Sequence, residues 1–179
     1  MNRILVLYGT TDGHTRLIAQ SIADTLSNGG FDVDVVQAGA GDPRPVDFDG
    51  IIVAASVHAG GYQKAVGRWL RRHAAEFGAK PTAFVSVSLG VLQHDPKVTA
   101  ELNAIVARFV EGCGWRPTVT KPVAGALVYT QYNVLKRWVM RRIARAAGGA
   151  TDTSRDYDYT DWSDLREFSG AFGRMVAGS

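Results

Sequence analysis

The chain has little that would cross-link it or carry it through a membrane. Cys113 is the single cysteine among 179 residues, so no disulfide can close within the chain. A lone thiol with no visible source of a depressed pKa is expected to be structural, and the low cysteine count points to a reducing compartment. No apolar run approaches the roughly 20 residues that a membrane-crossing helix requires. No signal-type leader precedes the first β-rich stretch at Arg3, so a cytoplasmic location is expected. Neither sign of charge dominates: 20 Lys and Arg against 17 Asp and Glu give a net charge of +3. Recognisable nucleic-acid motifs are missing too, so nucleic acid is not an expected partner, and no metal is expected. What is present, 46% apolar and 21% charged residues over 179 positions, fits one globular domain, 1–179, with a sizeable core.

The chain is organised around Tyr8-Gly9-Thr10-Thr11-Asp12-Gly13-His14-Thr15. Before it runs the apolar stretch Arg3-Ile4-Leu5-Val6-Leu7. After it, Arg16 to Ala23 repeats apolar residues at helical spacing. The segment therefore reads as strand, tight loop, helix. Backbone N–H groups at a helix start lack partners, and the helix dipole favours negative charge there. Thr10, Thr11 and Thr15 add hydroxyls, and Gly13 permits a close backbone approach, so a phosphate is the expected ligand. The loop is not a Walker A sequence, because His14-Thr15 follows Gly13 where that motif has Lys and then Ser or Thr. Nor is it the Gly-x-Gly-x-x-Gly dinucleotide fingerprint, since its glycines are Gly9 and Gly13 only. An ordinary strand-to-helix turn with Asp12 or Thr11 as N-cap remains open.

Strands and helices alternate along the rest of the chain. Helices are expected over His14 to Leu26, from about Ala65 to His73, over Val98 to Val110 and from about Asp161 to Val176. Strands are expected at Phe31 to Val36, Gly50 to Ser56, Thr82 to Val87 and Thr118 to Leu127, the last with an irregularity at Pro122. The pattern predicts a doubly wound α/β fold with a five-stranded parallel sheet, order 2-1-3-4-5, and helices on both faces. Ligands of such sheets bind beyond the strand C-termini at the switch in strand order. The candidate walls are then Thr10–Thr15, Ser56–Tyr62 and Ser86–Asp95.

Val128 to Tyr159, between the last strand and the last helix, is too long for a plain connection and reads as an insertion. Asn133 can cap a helix there and Gly148-Gly149 can end it. Leu135, Trp138, Val139, Ile143 and Ala146 would share an apolar face. Arg137, Arg141 and Arg145 would line another, with Lys136 and Arg142 beside them and no acid between Lys136 and Arg145. Three readings stay open: an anionic membrane surface, the carboxylates of an organic acid, or a solvated helix face.

Thr10-x-x-Gly13-x-Thr15 opening the first helix resembles the FMN phosphate loop of flavodoxins. Further stretches sharpen the likeness: Ala55-Ser56-Val57-His58, Phe84-x-Ser86-Val87, Gly114-Trp115-Arg116-Pro117, Ala124-Gly125-Ala126-Leu127, Gly148-Gly149-x-Thr151-Asp152-Thr153 and Tyr159-Thr160-Asp161-Trp162. In order and over nearly the whole chain, they resemble the menaquinone-dependent protoporphyrinogen oxidase family. The resemblance implies a flavodoxin-like FMN enzyme of haem biosynthesis, peripheral to the inner face of the cell membrane. Such an enzyme oxidises protoporphyrinogen IX and passes electrons to a membrane quinone. Thr10, Thr11, Asp12, Gly13, His14 and Thr15 would then hold the FMN phosphate. Ser56, Val57, His58 and Tyr62, with Ser86, Val87, Ser88, Leu89 and Gly90, would flank the ring. Tyr62 either stacks on the flavin or packs on the domain surface. Tyr129, Tyr132 and Trp138 would offer the substrate an apolar platform, and Lys136, Arg137, Arg141 and Arg142 cations for its propionates. Two loops depart from the family: His58-Ala59-Gly60-Gly61-Tyr62 stands where it carries Arg-Tyr-Gly-His-Tyr, and Gly90 to Lys97 is nearly neutral where it is basic. The alternatives are an FMN electron shuttle, a different quinone or small-molecule reductase, and a domain that has lost FMN. A homo-oligomer is left open. Deleting Val128–Gly149 is expected to spare FMN binding and to remove turnover.

Overall fold

A computed structural model describes residues 1–127, 129–131 and 134–179, with side chains for all of these except 131, 134–136 and 139. The expected caps and partners at Asn133, Tyr132, Lys136, Leu135 and Val139 lie outside the described residues.

Strand β1, Arg3–Gly9, leads into helix α1, His14–Asn28, and then β2, Asp32–Gln37. The order continues with β3, Gly50–Ser56; α2, Lys64–His73; β4, Thr82–Val87; α3, Pro96–Gly112; and β5, Val119–Val123. These five strands form one parallel sheet in the order β2-β1-β3-β4-β5. The strands alternate two faces, as the two-residue pleat requires. Ile4 and Val6 of β1 and Ile52 of β3 join Ile18, Ile22 and Leu26 of α1 on one side of the sheet. Leu5, Leu7, Ile51 and Val53 join Val66, Trp69 and Leu70 of α2 on the other. Both faces of the central strands are thus covered, which accounts for their nearly continuous apolar sequence.

The stretch Thr118 to Leu127 is not one strand. Its first part is β5, the sheet edge, where Pro122 pairs with Ser86 and costs no inward ladder bond. After Gly125 the chain leaves the sheet. Ala126–Leu127 becomes β6 and pairs antiparallel with β7, Tyr157–Asp158. This ribbon closes the two ends of the insertion on each other. Between them lies helix α4, Val134–Ala146, ended at Gly148, whose φ of 71° terminates the helix. Helix α5, Trp162–Ala177, follows, with the Asp161 carboxylate accepting the N–H groups of Ser163 and Asp164 at 3.0 Å.

The insertion has a small core of its own, Leu127, Tyr129 and Ala144, packed against Leu89, Met140, Tyr157 and Tyr159. Its helix is rotated from the expected orientation. Met140, Ala144 and Ala147 form the packed face, while Trp138, Ile143 and Ala146 are exposed. Small alanines at Ala144 and Ala147 let α4 approach the tyrosines closely, so the larger apolar residues remain outside.

Candidate functional site

The loops after β1, β3 and β4 converge at the C-terminal edge of the sheet, at the switch between β1 and β3. They surround a cavity of about 470 Å³. Thr10, Asp12, His14 and Thr15 line it from the first loop, and Ser56, Val57, His58 and Ala59 from the second. Val87, Ser88 and Leu89 contribute from the third. Gly125 and Ala126 add a wall from the β5–β6 turn, and Met140 and Ile143 add one from α4. The volume lies within the range usual for small-molecule sites.

The first loop is shaped by its own backbone. Gly13 has φ 88°, and its N–H donates to Thr10 Oγ1 at 2.8 Å. Helix α1 starts at this glycine with no side-chain cap and no acid in its first turn. The expected alternative, a turn capped by Asp12 or Thr11, is therefore not what forms. An uncapped helix start beside the hydroxyls of Thr10 and Thr15 suits an anion.

The second loop is a tight turn. His58 and Gly61 exchange backbone hydrogen bonds of 2.8 and 3.0 Å, with Ala59 at φ 48° and Gly60 at φ 75° between them. Ser56 Oγ lies 3.1 Å from His58 Nε2 and accepts from Gln63 Nε2 at 2.8 Å. Gln63 Nε2 also donates to Thr11 Oγ1 at 3.1 Å, so one amide ties the first loop to the second. In the third loop, Ser88 Oγ accepts the Gly90 N–H at 3.0 Å and starts a 3₁₀ turn, Leu89–Gln93.

Not every expected residue lines the cavity. Thr11 is taken up by Gln63, Gly13 forms the helix start, and Gly90 packs against Leu102 and Val98. Tyr62 does not present a stacking face. Its ring meets Phe84 at 5.0 Å and Phe109 at 4.6 Å, and its hydroxyl bonds Ser86 Oγ at 2.7 Å. The apolar company of Phe84 and Phe109 outweighs any loop position, and burial pushes the Tyr62 phenol upward against the opposing Ser86 bond. Ser86 is turned to Tyr62 for the same reason.

The insertion residues divide. Tyr129 is fully buried in the insertion core and donates to the Ala150 carbonyl at 2.9 Å, so it offers no open platform. Trp138 is 57% exposed, with the Arg142 guanidinium 5.1 Å from its ring centroid. Arg141, Arg142 and Arg145 are exposed, whereas Arg137 is half-buried. Tyr132 and the Lys136 side chain lie outside the described residues.

Several neighbours of the site were not expected from sequence. Gly125, Ala126, Met140 and Ile143 reach the cavity through tertiary packing, although Gly125-Ala126 belongs to a family stretch and Ile143 to an apolar face, whereas Ala59 lies within the expected Ser56–Tyr62 wall. Thr160 and Asp158 come from the far end of the chain to His14. His14 Nε2 lies 2.7 Å from Thr160 Oγ1 and 3.4 Å from Asp158 Oδ1. Burial holds the His14 pKa below its ordinary value, with Asp158 acting in the opposite sense.

The chain matches the flavodoxin domain family model over residues 5–154. It is 33% identical over 175 residues to the protoporphyrinogen IX dehydrogenase (quinone) of Escherichia coli K12, covering 97% of this chain and 96% of that protein. A protein of the same name from Leishmania major is 34% identical over 97% of this chain and 75% of its own length. Among solved structures, a short-chain flavodoxin associated with a bacterial microcompartment aligns with TM-score 0.58 at 15% identity, over 98% of this chain and 99% of its own. Flavodoxin 1 of Bacillus cereus aligns with TM-score 0.58 at 14% identity, over 96% and 97%. These last two show the fold. Flavodoxin domains take FMN, and the cavity beside an uncapped helix start accords with FMN as the cofactor of this chain. The chain belongs to the protoporphyrinogen IX dehydrogenase (quinone) family, oxidoreductases built on the flavodoxin domain.

Proposed function

We propose that this chain, acting as one flavodoxin-like domain with an insertion at 128–159, oxidises protoporphyrinogen IX to protoporphyrin IX and delivers the electrons to a membrane quinone. The observation that carries the reading is α4. It sets Met140 and Ile143 into the wall of the cavity and keeps Trp138 and three arginines exposed beside it. A flat apolar macrocycle bearing two propionates calls for apolar surface and guanidinium groups side by side.

When bound, FMN supplies the redox chemistry. The residues of the chain bind, orient and exclude water. Thr10, Thr15 and the first turn of α1 would hold the phosphate, in a loop kept in shape by the Gly13–Thr10 bond. Val57, Val87, Leu89 and Ala126, which line the cavity, would give the ring apolar walls, and Ser56 and His58 would give it a polar edge. Arg141 and Arg142 are the candidate propionate partners. No acid–base triad is invoked.

Trp138 beside Arg142 also suits the headgroup region of an anionic bilayer, from which a quinone is reached. Among the described residues no helix is long and apolar enough to cross a membrane, and the proposed contact is with the bilayer surface.

The test is an anaerobic assay of the FMN-loaded protein with protoporphyrinogen IX and a menaquinone analogue, followed by porphyrin fluorescence. Fluorescence that needs protein, FMN and quinone together supports the reading. A protein that binds FMN and yields no porphyrin overturns the substrate, and attention then moves to the departing turn at His58–Tyr62.

A further inference from the structure

His14 sits in the first turn of α1, lines the cavity, and is held from behind by residues at the end of the insertion. The Thr160 hydroxyl is 2.8 Å from the Ala124 carbonyl oxygen, an atom that can only accept. Thr160 therefore spends its proton on Ala124. At the 2.7 Å contact between His14 Nε2 and Thr160 Oγ1, the ring nitrogen must then be the donor. The neutral ring carries its proton on Nε2, and Nδ1 is left as a lone pair.

Among the described residues, these titratable groups contact the ring or line its cavity. Asp158, from β7, is at 3.4 Å with a half-exposed side chain. Asp12, from the loop, and His58, from the turn after β3, line the same cavity. Helix α5 presents the uncharged Trp162, edge-on at 5.9 Å, and α4 presents Met140 and Ile143 across the cavity. One partly solvated carboxylate does not offset the burial of the imidazole, so the ring is held toward its neutral form. A phosphate group in the Thr10–Thr15 loop brings about two further negative charges to a pocket walled by apolar side chains.

We propose that His14 is a proton-linked positioning residue of the phosphate loop: docking of the FMN phosphate draws one proton onto its imidazole, while its Nε2–H stays tied to Thr160. The proton comes from solvent, and the loop gains a cation that is anchored to the β7–α5 junction. Cofactor binding thereby reinforces the attachment of the insertion to the flavodoxin core. The inference rests on FMN as the ligand of this cavity. The sign follows from linkage. Burial holds the free-state pKa below its ordinary value, and a nearby negative charge raises it. FMN binding then takes up protons between the two values, and affinity falls as pH rises through that window.

The experiment is calorimetric titration of the flavin-free full chain with FMN at pH 7.5. It uses phosphate-free buffers of different ionisation enthalpy, above the phosphate's own second pKa of about 6. The expected result is net proton uptake of at most one proton per FMN, with affinity weakening up to about tenfold per pH unit through the window. His14→Gln retains a donor for Thr160. It is expected to bind FMN more weakly near pH 7 and without proton uptake. Riboflavin, which lacks the phosphate, is expected to bind the wild-type chain without uptake. No uptake by the wild-type chain overturns the proposal without need of any variant. So does equal uptake in His14→Gln or with riboflavin. A wild-type chain that fails to bind FMN at all sinks the cofactor assignment instead.

Discussion

Tyr129→Phe distinguishes a structural tyrosine from a substrate platform. The ring is 0% exposed and lies in the insertion core with Leu127 and Ala144, edge-on to Tyr157 at 6.3 Å. Its hydroxyl donates to Ala150 O at 2.9 Å, and the Ala150 N–H donates to Tyr159 Oη at 2.7 Å. Two tyrosines thus hold both polar groups of one residue, just beyond the end of α4. Replacing Tyr129 by Phe keeps the ring and removes one neutral hydrogen bond, about 1 kcal/mol net, rising to about 3 kcal/mol if the carbonyl stays dry. A loss of about 1 kcal/mol makes local opening about fivefold more frequent. Hydrogen exchange at Gly149 and Ala150 reads this directly. Gly149 is informative because its N–H closes the helix end on Ala144 O at 2.8 Å. About fivefold faster exchange there is expected, with little change at Val6 or Ile52 in the central sheet. Adding Tyr159→Phe is expected to be non-additive by about 0.5 kcal/mol or more, since both hydroxyls act on Ala150. Unchanged exchange together with lost porphyrin turnover would refute the reasoning and return Tyr129 to the substrate.

Gly13→Ala meets no atom within 4 Å, so its cost is the φ of 88° alone, about 1–2 kcal/mol; FMN titration is expected to show about tenfold weaker binding with the fold retained. The His73 hydrogen bond holds the Asp42 carboxyl below its ordinary value of 3.8. Its contribution is therefore present above about pH 4 and lost as pH falls further, and Asp42→Asn is expected to flatten the acid limb of a stability profile measured by urea unfolding. Met140→Ala with Ile143→Ala strips the α4 wall of the cavity and is expected to weaken FMN by about 1–2 kcal/mol, read by quenching of flavin fluorescence, while the far-ultraviolet dichroism is unchanged.

Much of the fold could be read from period and punctuation. The central strands Gly50–Ser56 and Thr82–Val87 are bounded by turns and apolar on both faces, and their limits follow from the chain itself. The strand–loop–helix form of Tyr8–Thr15 was legible because its signals are local: a glycine and a helix start within eight residues. What was not legible depends on contacts between distant segments. Nothing near Leu127 says that it pairs with Tyr157, so β5 and β6 read as one strand. Tyr62 follows the second loop, but its partners Phe84 and Phe109 lie on β4 and α3, and they draw the ring inward. The rotation of α4 follows from Ala144 and Ala147, two small residues with little weight in a hydrophobic pattern, which fit against the insertion tyrosines. His14 looked like a loop residue because Asp158 and Thr160 are more than a hundred positions away.

The insertion is more than an addition to a finished cofactor domain. Its helix supplies Met140 and Ile143 to the cavity, and its core includes Leu89, which lines the same cavity from the loop after β4. Its terminal ribbon brings Asp158 to His14, and Thr160 just beyond it bonds both His14 and Ala124. Met140 and Ile143 lie within 128–149, so FMN titration of the 128–149 deletion tests whether this wall contributes to cofactor binding as well as to turnover. Removal takes Met140 and Ile143 from the cavity wall and Tyr129 and Ala144 from the core that packs Leu89, while Asp158 and Thr160 behind His14 remain in the chain. Helix α4 walls the cavity with Met140 and Ile143 and leaves Trp138, Arg141, Arg142 and Arg145 exposed. If the proposed function holds, one helix serves both cofactor and substrate, and substitutions on α4 are expected to change FMN affinity and porphyrin turnover together.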